Sequence, residues 1–168
     1  MKVMVEYKHS DRKNTPHRTL RLRRRIRMKI KIKYLADIFP IEILPDGDWI
    51  DLRCARDTWV EPGEYVQIPL GVAMELPEGY EAHVIPRSST FRKYKILLAN
   101  SYGLIDHTYC GDNDEWRFPA YATDEVKIPK NERICQFRIV PVQPKIEFET
   151  VESLGNPDRG GIGSTGRI

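Results

Sequence analysis

The most constraining feature of this chain is a two-residue alternation of apolar and polar side chains in short segments between residues 30 and 148. In the first segment, Ile30, Ile32 and Tyr34 alternate with lysines. This period is typical of a β-strand with one face against a core, whereas a helix needs a period near 3.6. The later sets are Ile50, Leu52 and Cys54; Val72, Met74 and Leu76; Trp116 and Phe118; Phe137 and Ile139; and Ile146 and Phe148. The pattern predicts an all-β protein.

Turns that contain proline with glycine or asparagine separate these segments. They are PDGD (45–48), EPGE (61–64), PEGY (77–80) and PKNE (129–132). Proline favours the first turn position, and glycine or asparagine accepts the reversal. Such spacing predicts a sandwich or barrel, and 12 prolines disfavour long helices. One short helix is predicted over residues 88–95, where a serine would cap the first turn and Phe91 and Tyr94 would share a face.

Length and composition indicate one domain. The chain has 168 residues, of which 40% are apolar, enough for a single core. No apolar run reaches the roughly 18 residues of a membrane span, and no apolar signal segment begins the chain, so no membrane contact is expected. Three cysteines, Cys54, Cys110 and Cys135, form no C-x-x-C pair, which argues against a disulfide framework or a zinc site. We therefore expect a cytoplasmic protein with reduced thiols.

The positive charge of the chain belongs to residues 1–27. This leader carries +8, while residues 28–168 carry −5. Its run LRLRRRIR (20–27) would suit nucleic acid or an anionic surface, because clustered arginine displaces counterions from phosphates. A disordered extension without a role and a natural start at Met28 are the alternatives. We expect removal of residues 1–27 to leave folding and activity intact.

Two strand segments each carry a polar side chain on the face away from the core. In IDLRCARD (50–57) it is Asp51, and in ERICQFRIVP (132–141) it is Gln136. Successive side chains of a strand point to opposite faces, so both groups are turned away from their apolar neighbours. Alone, Asp51 indicates a solvated strand face, whereas Gln136 is predicted to reach a pocket.

The stretch PRSS (86–89) predicts an anion site ahead of the short helix. Arg87 offers a fixed fork of donors that matches phosphate oxygens. Ser88 and Ser89 add hydroxyl and backbone N–H donors near a helix N-terminus, where negative charge is favoured. An ordinary serine-rich turn is the alternative.

The stretch NSYGLIDHTY (100–109) is predicted to be a hairpin that carries chemistry. Gly103 would permit a tight reversal or a close approach of the backbone to a flat ligand, because it has no side chain. Asp106 would direct a carboxylate into the pocket, and Tyr109 would supply a ring wall. An ordinary β-turn with a buried tyrosine is the alternative.

The C-terminal stretch RGGIGSTGRI (159–168) contains four glycines, with Ile162 as its apolar anchor. It buries too little apolar surface to offset its ordering entropy, so it is predicted to be mobile when free. Its backbone and Arg159 would suit wrapping around a polyphosphate. A flexible end without a role is the alternative.

In this order, the motifs PRS, G-x-I-D-x-x-Y, R-I-x-Q and G-x-G-S-T-G resemble those of the trimeric deoxyuridine triphosphate nucleotidohydrolase (dUTPase) family. The resemblance implies a jelly-roll-like, distorted β-barrel over residues 28–153. It implies that an arm over residues 154–168 closes an active site, and that a homotrimer shares its sites between subunits. The implied activity is hydrolysis of dUTP to dUMP and pyrophosphate, which limits uracil in DNA and supplies dUMP for dTMP synthesis.

The resemblance also implies roles at the phosphate end of dUTP. Asp106 is similar to the residue that orients the attacking water toward the α-phosphorus, and with an ordinary pKa of about 3.9 it is a weak base that acts mainly by holding the water. Asp51 would hold a Mg²⁺ ion through coordinated waters, and positive charge on the triphosphate would lower most of the barrier. The implied phosphate contacts are Arg87, Ser88, Ser89, Gln136, Arg159, Gly163, Ser164 and Thr165.

At the base end, the resemblance implies that Asn100 and main-chain groups around Gly103 and Ile105 pair with the uracil edge. The lining of this base pocket would leave no room for the 5-methyl group of thymine. Cytosine would be rejected strongly, because its amino group would leave buried polar groups of the pocket without hydrogen-bond partners. Tyr109 would stack beneath deoxyribose and exclude a 2′-hydroxyl. Ile162 stands where the arm of the family usually has a phenylalanine over the base.

Departures from the family pattern leave two alternatives open. Ser89 stands where the family usually has glycine, and R-S-S is the form found in dCTP deaminases, which share the fold. Deamination would place a catalytic glutamate near Glu115, although GDNDEWRFP does not match the apolar context of those enzymes. Cys110 replaces the usual arginine. The second alternative is a catalytically reduced dUTP-binding regulatory protein, against which the retained Asp106 argues, since sensing needs no water-orienting carboxylate.

Overall fold

The computed structural model describes residues 28–160, which form short strands and one helix. The elements are β1 (Lys31–Tyr34), β2 (Ile50–Arg53), β3 (Thr58–Val60), β4 (Tyr65–Pro69), β5 (Val72–Glu75), β6 (Tyr80–Pro86), α1 (Thr90–Tyr94), β7 (Ile96–Leu98), β8 (Gly103–Ile105), β9 (Arg117–Ala122), β10 (Val126–Ile128) and β11 (Arg133–Pro141). The predicted all-β class is confirmed. The leader (residues 1–27) and residues 161–168 lie outside the described part of the chain.

The strands form antiparallel sheets that do not close on themselves. Two pairs, β1 with β5 and β3 with β10, accompany a sheet of order β2-β11-β6-β8 and a sheet of order β4-β9-β7. The long strand β11 organises the largest sheet, since it pairs with β2 on one side and with β6 on the other. Apolar side chains between the sheets form one core, whose largest fully buried members include Trp116, Phe118, Leu52, Ile68 and Ile134. This arrangement agrees with the jelly-roll-like expectation.

The alternation predicted most of the core and the strand β1, but it was wrong about the burial of β1 and about the last segment. Met74 and Phe118 are buried as predicted. In β1, however, both faces are exposed, so the expected single wet face is not seen. The segment with Ile146 and Phe148 is not a strand, and Phe148 is 94% exposed. Alternation indicates which face a strand would bury, but a strand forms only where another strand pairs with it.

The predicted turns are confirmed where glycine or asparagine reverses the chain. Gly63, Gly79 and Asn131 have φ values of 80°, 81° and 70°. In the turn at 129–132, the Glu132 N–H donates to the Pro129 carbonyl over 3.1 Å. Positive φ costs glycine little, and asparagine tolerates it better than most residues. These turns set the order in which the strands enter the sheets.

The helix after β6 is shorter than predicted and is not capped by a serine side chain. It covers five residues and ends at Lys95, whose φ is 49°. Ser89 already has helical φ and ψ, so its hydroxyl makes no capping bond, and its carbonyl instead accepts the Lys93 N–H over 2.9 Å. Tyr94 packs against the core, whereas Phe91 is exposed. One turn of helix has a small dipole, so an anion site here would depend on side chains.

Within residues 28–160, no helix is long and apolar enough to span a membrane. All three cysteines lie in this part of the chain and are free thiols. Cys54 and Cys135 are buried, while Cys110 is exposed. Burial raises the pKa of the Cys135 thiol well above its ordinary value, which keeps the thiol protonated and unreactive.

Candidate active site

A cleft of about 380 Å³ opens between β8 and the sheet that contains β7 and β9. Five of the residues predicted to bind substrate or water lie along it: Asn100, Gly103, Ile105, Asp106 and Tyr109. Leu98, Val84 and Trp116 form apolar parts of the wall. A concave, partly apolar pocket with a few polar groups is the usual form of a small-molecule site. The structure therefore brings together the whole predicted set from the 100–109 segment.

The two strands predicted to flank this segment do pair, since β7 pairs with β9, the strand that follows Trp116. The tight reversal, however, is at Ser101, whose φ is 62°, and not at Gly103, which lies in β8 and pairs with β6. A Cβ atom on Gly103 would lie 3.0 Å from the Val84 Cβ and 3.1 Å from the Val84 carbonyl oxygen. Gly103 thus lets β8 pack closely on β6. Sequence alone showed that a side chain was missing but not which neighbour required its absence.

The Asp106 carboxylate is held at the end of β8 by one neighbour. Its Oδ1 atom accepts hydrogen bonds from the Thr108 hydroxyl and, over 2.7 Å, from the Thr108 N–H. The hydroxyl contact first, and the backbone contact second, lower the pKa of Asp106. Among the described residues, Oδ2 accepts no hydrogen bond. The carboxylate is therefore fixed and ionised, with one oxygen available to a water molecule.

The wall opposite β8 contains two charged residues that were not assigned to substrate binding. Tyr109 donates its hydroxyl to the Glu115 carbonyl oxygen over 3.2 Å. The Glu115 carboxylate is 17% exposed, lies 3.3 Å from the Arg117 guanidinium, and accepts the Gly71 N–H over 3.1 Å. Alternation could have found Glu115 and Arg117, because they flank the buried Trp116 where the chain enters β9.

A second group of polar residues lies around Asp51. Its Oδ1 atom is 2.7 Å from Arg87 Nε, and its Oδ2 atom is 3.0 Å from Arg133 Nη1. Gln136 is the register partner of Asp51 across β2 and β11. We call Asp51, Arg87, Arg133 and Gln136 the anion cluster. The Asp51 side chain is only 16% exposed, so the solvated strand face considered for it is wrong.

Arg133 was not assigned from the sequence because a β-bulge redirects it. The register passes from Arg133 opposite Arg53 to Cys135 opposite Leu52, so β11 has one extra residue there. A bulge re-aims the neighbouring side chain. Simple alternation would put Arg133 on the core side with Cys135, whereas its guanidinium reaches the Asp51 carboxylate. The signal available in the sequence was the R-I-x-Q motif itself.

The cleft and the anion cluster are separate within one chain. Neither the anion cluster nor Ser88 and Ser89 line the cleft. Ser88 is exposed and Ser89 is half-buried beside Arg87. Arg159 is exposed in a segment without regular structure. Ile162, Gly163, Ser164 and Thr165 lie outside the described residues. In the described part of the chain, the cleft and the anion cluster are thus two distinct sets of residues.

The carboxylates of the described residues could hold a magnesium ion only together with a bound polyphosphate. Residues 28–160 contain no group of three or more His, Cys, Asp or Glu side chains that could hold a metal. Each Asp51 oxygen already accepts from a guanidinium. Mg²⁺ is commonly bound by one or two carboxylates, waters and substrate phosphates. Asp51 therefore fits as a single water-mediated ligand of an ion that arrives with a polyphosphate.

The structure is that of an antiparallel β protein with a small-molecule cleft and an arginine-carboxylate cluster suited to phosphate. Comparison with known proteins specifies it further. A family model described as dUTPase matches residues 49–166. The SPbeta prophage-derived deoxyuridine 5'-triphosphate nucleotidohydrolase of Bacillus subtilis (strain 168) is 56% identical over 140 residues, covering 83% of this chain and 99% of that protein. The chain belongs to the dUTPase family.

Solved dUTPase structures share the fold. A Staphylococcus bacteriophage 80alpha dUTPase, described with dUpNHpp, matches with a TM-score of 0.67 and 22% identity, covering 83% of this chain and 99% of that chain. A mutant dUTPase from phage phi11 of S. aureus, described for its coordination of a structural Mg(II) ion, matches with a TM-score of 0.63 and 19% identity over 76% of this chain and 99% of that chain. At these identities the likeness establishes the fold alone.

Proposed function

We propose that this protein hydrolyses dUTP to dUMP and pyrophosphate, with the nucleoside in the cleft and the phosphates at the anion cluster. The observation that carries the proposal is the convergence of Asn100, Gly103, Ile105, Asp106 and Tyr109 on one cleft. Family membership and the named activity of the Bacillus subtilis relative support it. A structural role alone would not require an ionised carboxylate at the mouth of a polar cleft.

In the proposed reaction, Asp106 holds the attacking water. Thr108 fixes one carboxylate oxygen, so the other can accept a hydrogen bond from water in a defined direction. The water oxygen forms a bond to the α-phosphorus, the bond from that phosphorus to the bridging oxygen breaks, and pyrophosphate leaves. Because the lowered pKa makes Asp106 a weak base, its main contribution is the position of the water. The proton of the water is released to the carboxylate and then to solvent.

Selection of uracil and deoxyribose would follow from the cleft walls. Asn100 and the main chain near Gly103 would pair with the base edge, and a base with the wrong donor pattern would leave polar groups unpaired. The Tyr109 ring, held through its hydroxyl by the Glu115 carbonyl, would lie against the sugar and exclude a 2′-hydroxyl. The cleft would therefore distinguish dUTP from dCTP, dTTP and UTP.

The anion cluster would bind the triphosphate. Arg87 and Arg133 provide two guanidinium groups, and Gln136 with Ser88 and Ser89 would add neutral donors. Charge-assisted hydrogen bonds of this kind stabilise the charge that develops on transferring phosphates. Asp51, through a coordinated water, would hold a Mg²⁺ ion whose charge would neutralise the phosphate oxygens.

We further propose that the working form is a homotrimer with shared sites. The separation of the cleft and the anion cluster within one chain supports this, because dUTP must reach both. Exposed apolar side chains such as Ile43 and Leu154, exposed by 78% and 83%, suit burial between subunits. The arm over residues 154–168 would bring Arg159, Ile162, Gly163, Ser164 and Thr165 from a neighbour onto the site.

The division of the chain follows from these roles. Residues 28–153 would form the catalytic β domain, and residues 1–27 would be dispensable for it, with nucleic acid contact by the leader as the alternative. A cytoplasmic location is proposed on the basis of three free thiols.

A substrate panel tests the activity. Pyrophosphate release is measured with dUTP, dCTP, UTP and dTTP in Mg²⁺ buffer, and ammonia release is measured with dCTP. We expect pyrophosphate from dUTP far above the other three. Ammonia from dCTP would identify a deaminase instead, and saturable dUTP binding without product would identify a regulatory protein.

A further inference from the structure

Thr90 is one of two buried polar residues in the described chain, and its hydroxyl has a single, well-defined partner. The residue is 1% exposed, and its Oγ1 atom donates to the Ile134 carbonyl oxygen over 2.6 Å. Neither residue lines the cleft or belongs to the anion cluster. A buried hydroxyl that reaches a carbonyl 44 positions along the chain joins two segments that sequence does not connect.

The Ile134 carbonyl lies at the β-bulge of β11. The extra residue between Arg133 and Cys135 has no register partner in β2, and its carbonyl is directed to the β6 side, where it continues the pairing of β11 with β6. It accepts the Thr90 hydroxyl and, over a longer 3.4 Å, the Arg87 N–H. Both donors come from the turn that follows β6. The bulge thus presents one acceptor to the turn that carries the predicted phosphate ligands.

The same contact lies between the two arginines of the anion cluster. On one side, the Thr90 N–H donates to the Arg87 carbonyl over 3.0 Å, and Arg87 contacts Asp51. On the other side, Ile134 directly follows Arg133, which also contacts Asp51. Losing the hydroxyl would leave only the long Arg87 bond between the turn and the bulge. The spacing of the two guanidinium groups would then depend on that bond and on the Asp51 carboxylate that both contact.

We propose that Thr90 is a positioning residue for phosphate binding, which ties the 86–89 turn to the bulge of β11 and so sets the spacing of Arg87 and Arg133. The proposal rests on the proposed function, because it assumes that the anion cluster receives the triphosphate. Its effect should appear in the binding of phosphates rather than in the binding of the nucleoside. Thr90 itself would touch no substrate atom.

The test uses a pair of nearly isosteric variants in the full-length protein. Thr90→Val keeps the shape and removes the donor, while Thr90→Ser keeps the donor. Thr90→Ala gives the same expectation if valine prevents folding. The matched control is Thr58→Val, because Thr58 is the other buried polar residue, is 8% exposed, and its hydroxyl contacts the Arg56 carbonyl at 3.1 Å and the Cys54 thiol at 3.4 Å rather than the Ile134 carbonyl.

For each variant, KM and kcat for dUTP, the dissociation constants of a non-hydrolysable dUTP analogue and of deoxyuridine, and the melting temperature are measured. Loss of one buried hydrogen bond should weaken analogue binding and raise KM for Thr90→Val by roughly 5- to 10-fold. Deoxyuridine binding should be unchanged. Thr90→Ser should stay within about twofold of wild type. Thr58→Val should melt at a lower temperature with unchanged KM.

The inference is overturned if folded Thr90→Val binds the analogue as wild type does, or if Thr58→Val weakens analogue binding equally. It is also overturned if deoxyuridine binding falls in parallel, since the effect would then not be specific to phosphate. A wild-type protein that does not hydrolyse dUTP would refute the proposed function instead, and the wild-type arm reveals this before any variant is compared.

Discussion

Replacement of Asp106 by asparagine is the sharpest single perturbation of the proposed mechanism. The amide oxygen of asparagine can accept the two Thr108 hydrogen bonds that Oδ1 accepts now, so the loop should keep its conformation. The NH₂ group then takes the place of Oδ2. A donor would face the water where an acceptor is needed, and the water would turn its hydrogens away.

The expected changes in substrate affinity and in kcat follow from the contacts that Asp106→Asn leaves intact. The apolar wall, Asn100 and the anion cluster are untouched, so the affinity for a non-hydrolysable dUTP analogue should change by less than about threefold, within the variation common for a site without lost contacts. The lost water contact and the lost proton acceptor belong to the chemical step. Removal of a positioned acid or base typically costs about 10²- to 10⁴-fold, and we expect the fall in kcat in this range.

The assay is pyrophosphate release under saturating dUTP, paired with titration of the analogue. Asp112→Asn is the matched control, because this carboxylate belongs to the loop just beyond Tyr109 but contacts Lys33 at 3.1 Å and does not line the cleft. It should retain wild-type kcat. Turnover of Asp106→Asn near the wild-type rate, with the fold intact, would refute the role given to Asp106.

Two further predictions concern the same cleft. Thr108 lowers the pKa of Asp106, and the ionised carboxylate is the active form, so activity should be lost only as the pH falls through a pKa below the ordinary aspartate value. Thr108→Ala should therefore move the acid limb of the pH profile of kcat to higher pH. An acid limb that does not move would contradict this role of Thr108. Gly103→Ala should lower the free energy of unfolding by about 1–3 kcal/mol, because the alanine Cβ would lie 3.0 Å from the Val84 Cβ and overpack the contact between β8 and β6. Urea unfolding measures this change. A variant as stable as wild type would mean that β8 can move away from β6.

The sequence predicted those parts of the structure that depend on local pattern. Period-two alternation located the core strands around Leu52, Met74 and Phe118, and the turn residues located Gly63 and Asn131 at positive φ. Gly103, Asp106 and Tyr109 could be predicted from local pattern to share a pocket, whereas the resemblance to the dUTPase family implied Asn100 and Ile105. Local pattern was sufficient wherever neighbours in space are also neighbours in sequence.

Features that depend on distant partners could not be predicted in this way. Gly103 is required by Val84 on another strand, and Arg133 reaches Asp51 only through a bulge that alternation does not reveal. Strand β1 and the segment around Phe148 both have alternating apolar side chains. Within a single chain, however, these side chains are exposed to solvent. A sequence pattern indicates which side chains a segment can bury, but it does not indicate which distant segment packs against them.

Mixing of inactive subunits tests whether the cleft of one subunit works with the anion cluster of another. Asp106→Asn and Arg87→Ala proteins, each inactive alone, are unfolded together, refolded as a 1:1 mixture and assayed with dUTP. If sites are shared, random mixing leaves about a quarter of the sites with both parts intact, so roughly a quarter of the wild-type rate should return. A mixture no more active than its two components would rule out sites that are shared between subunits.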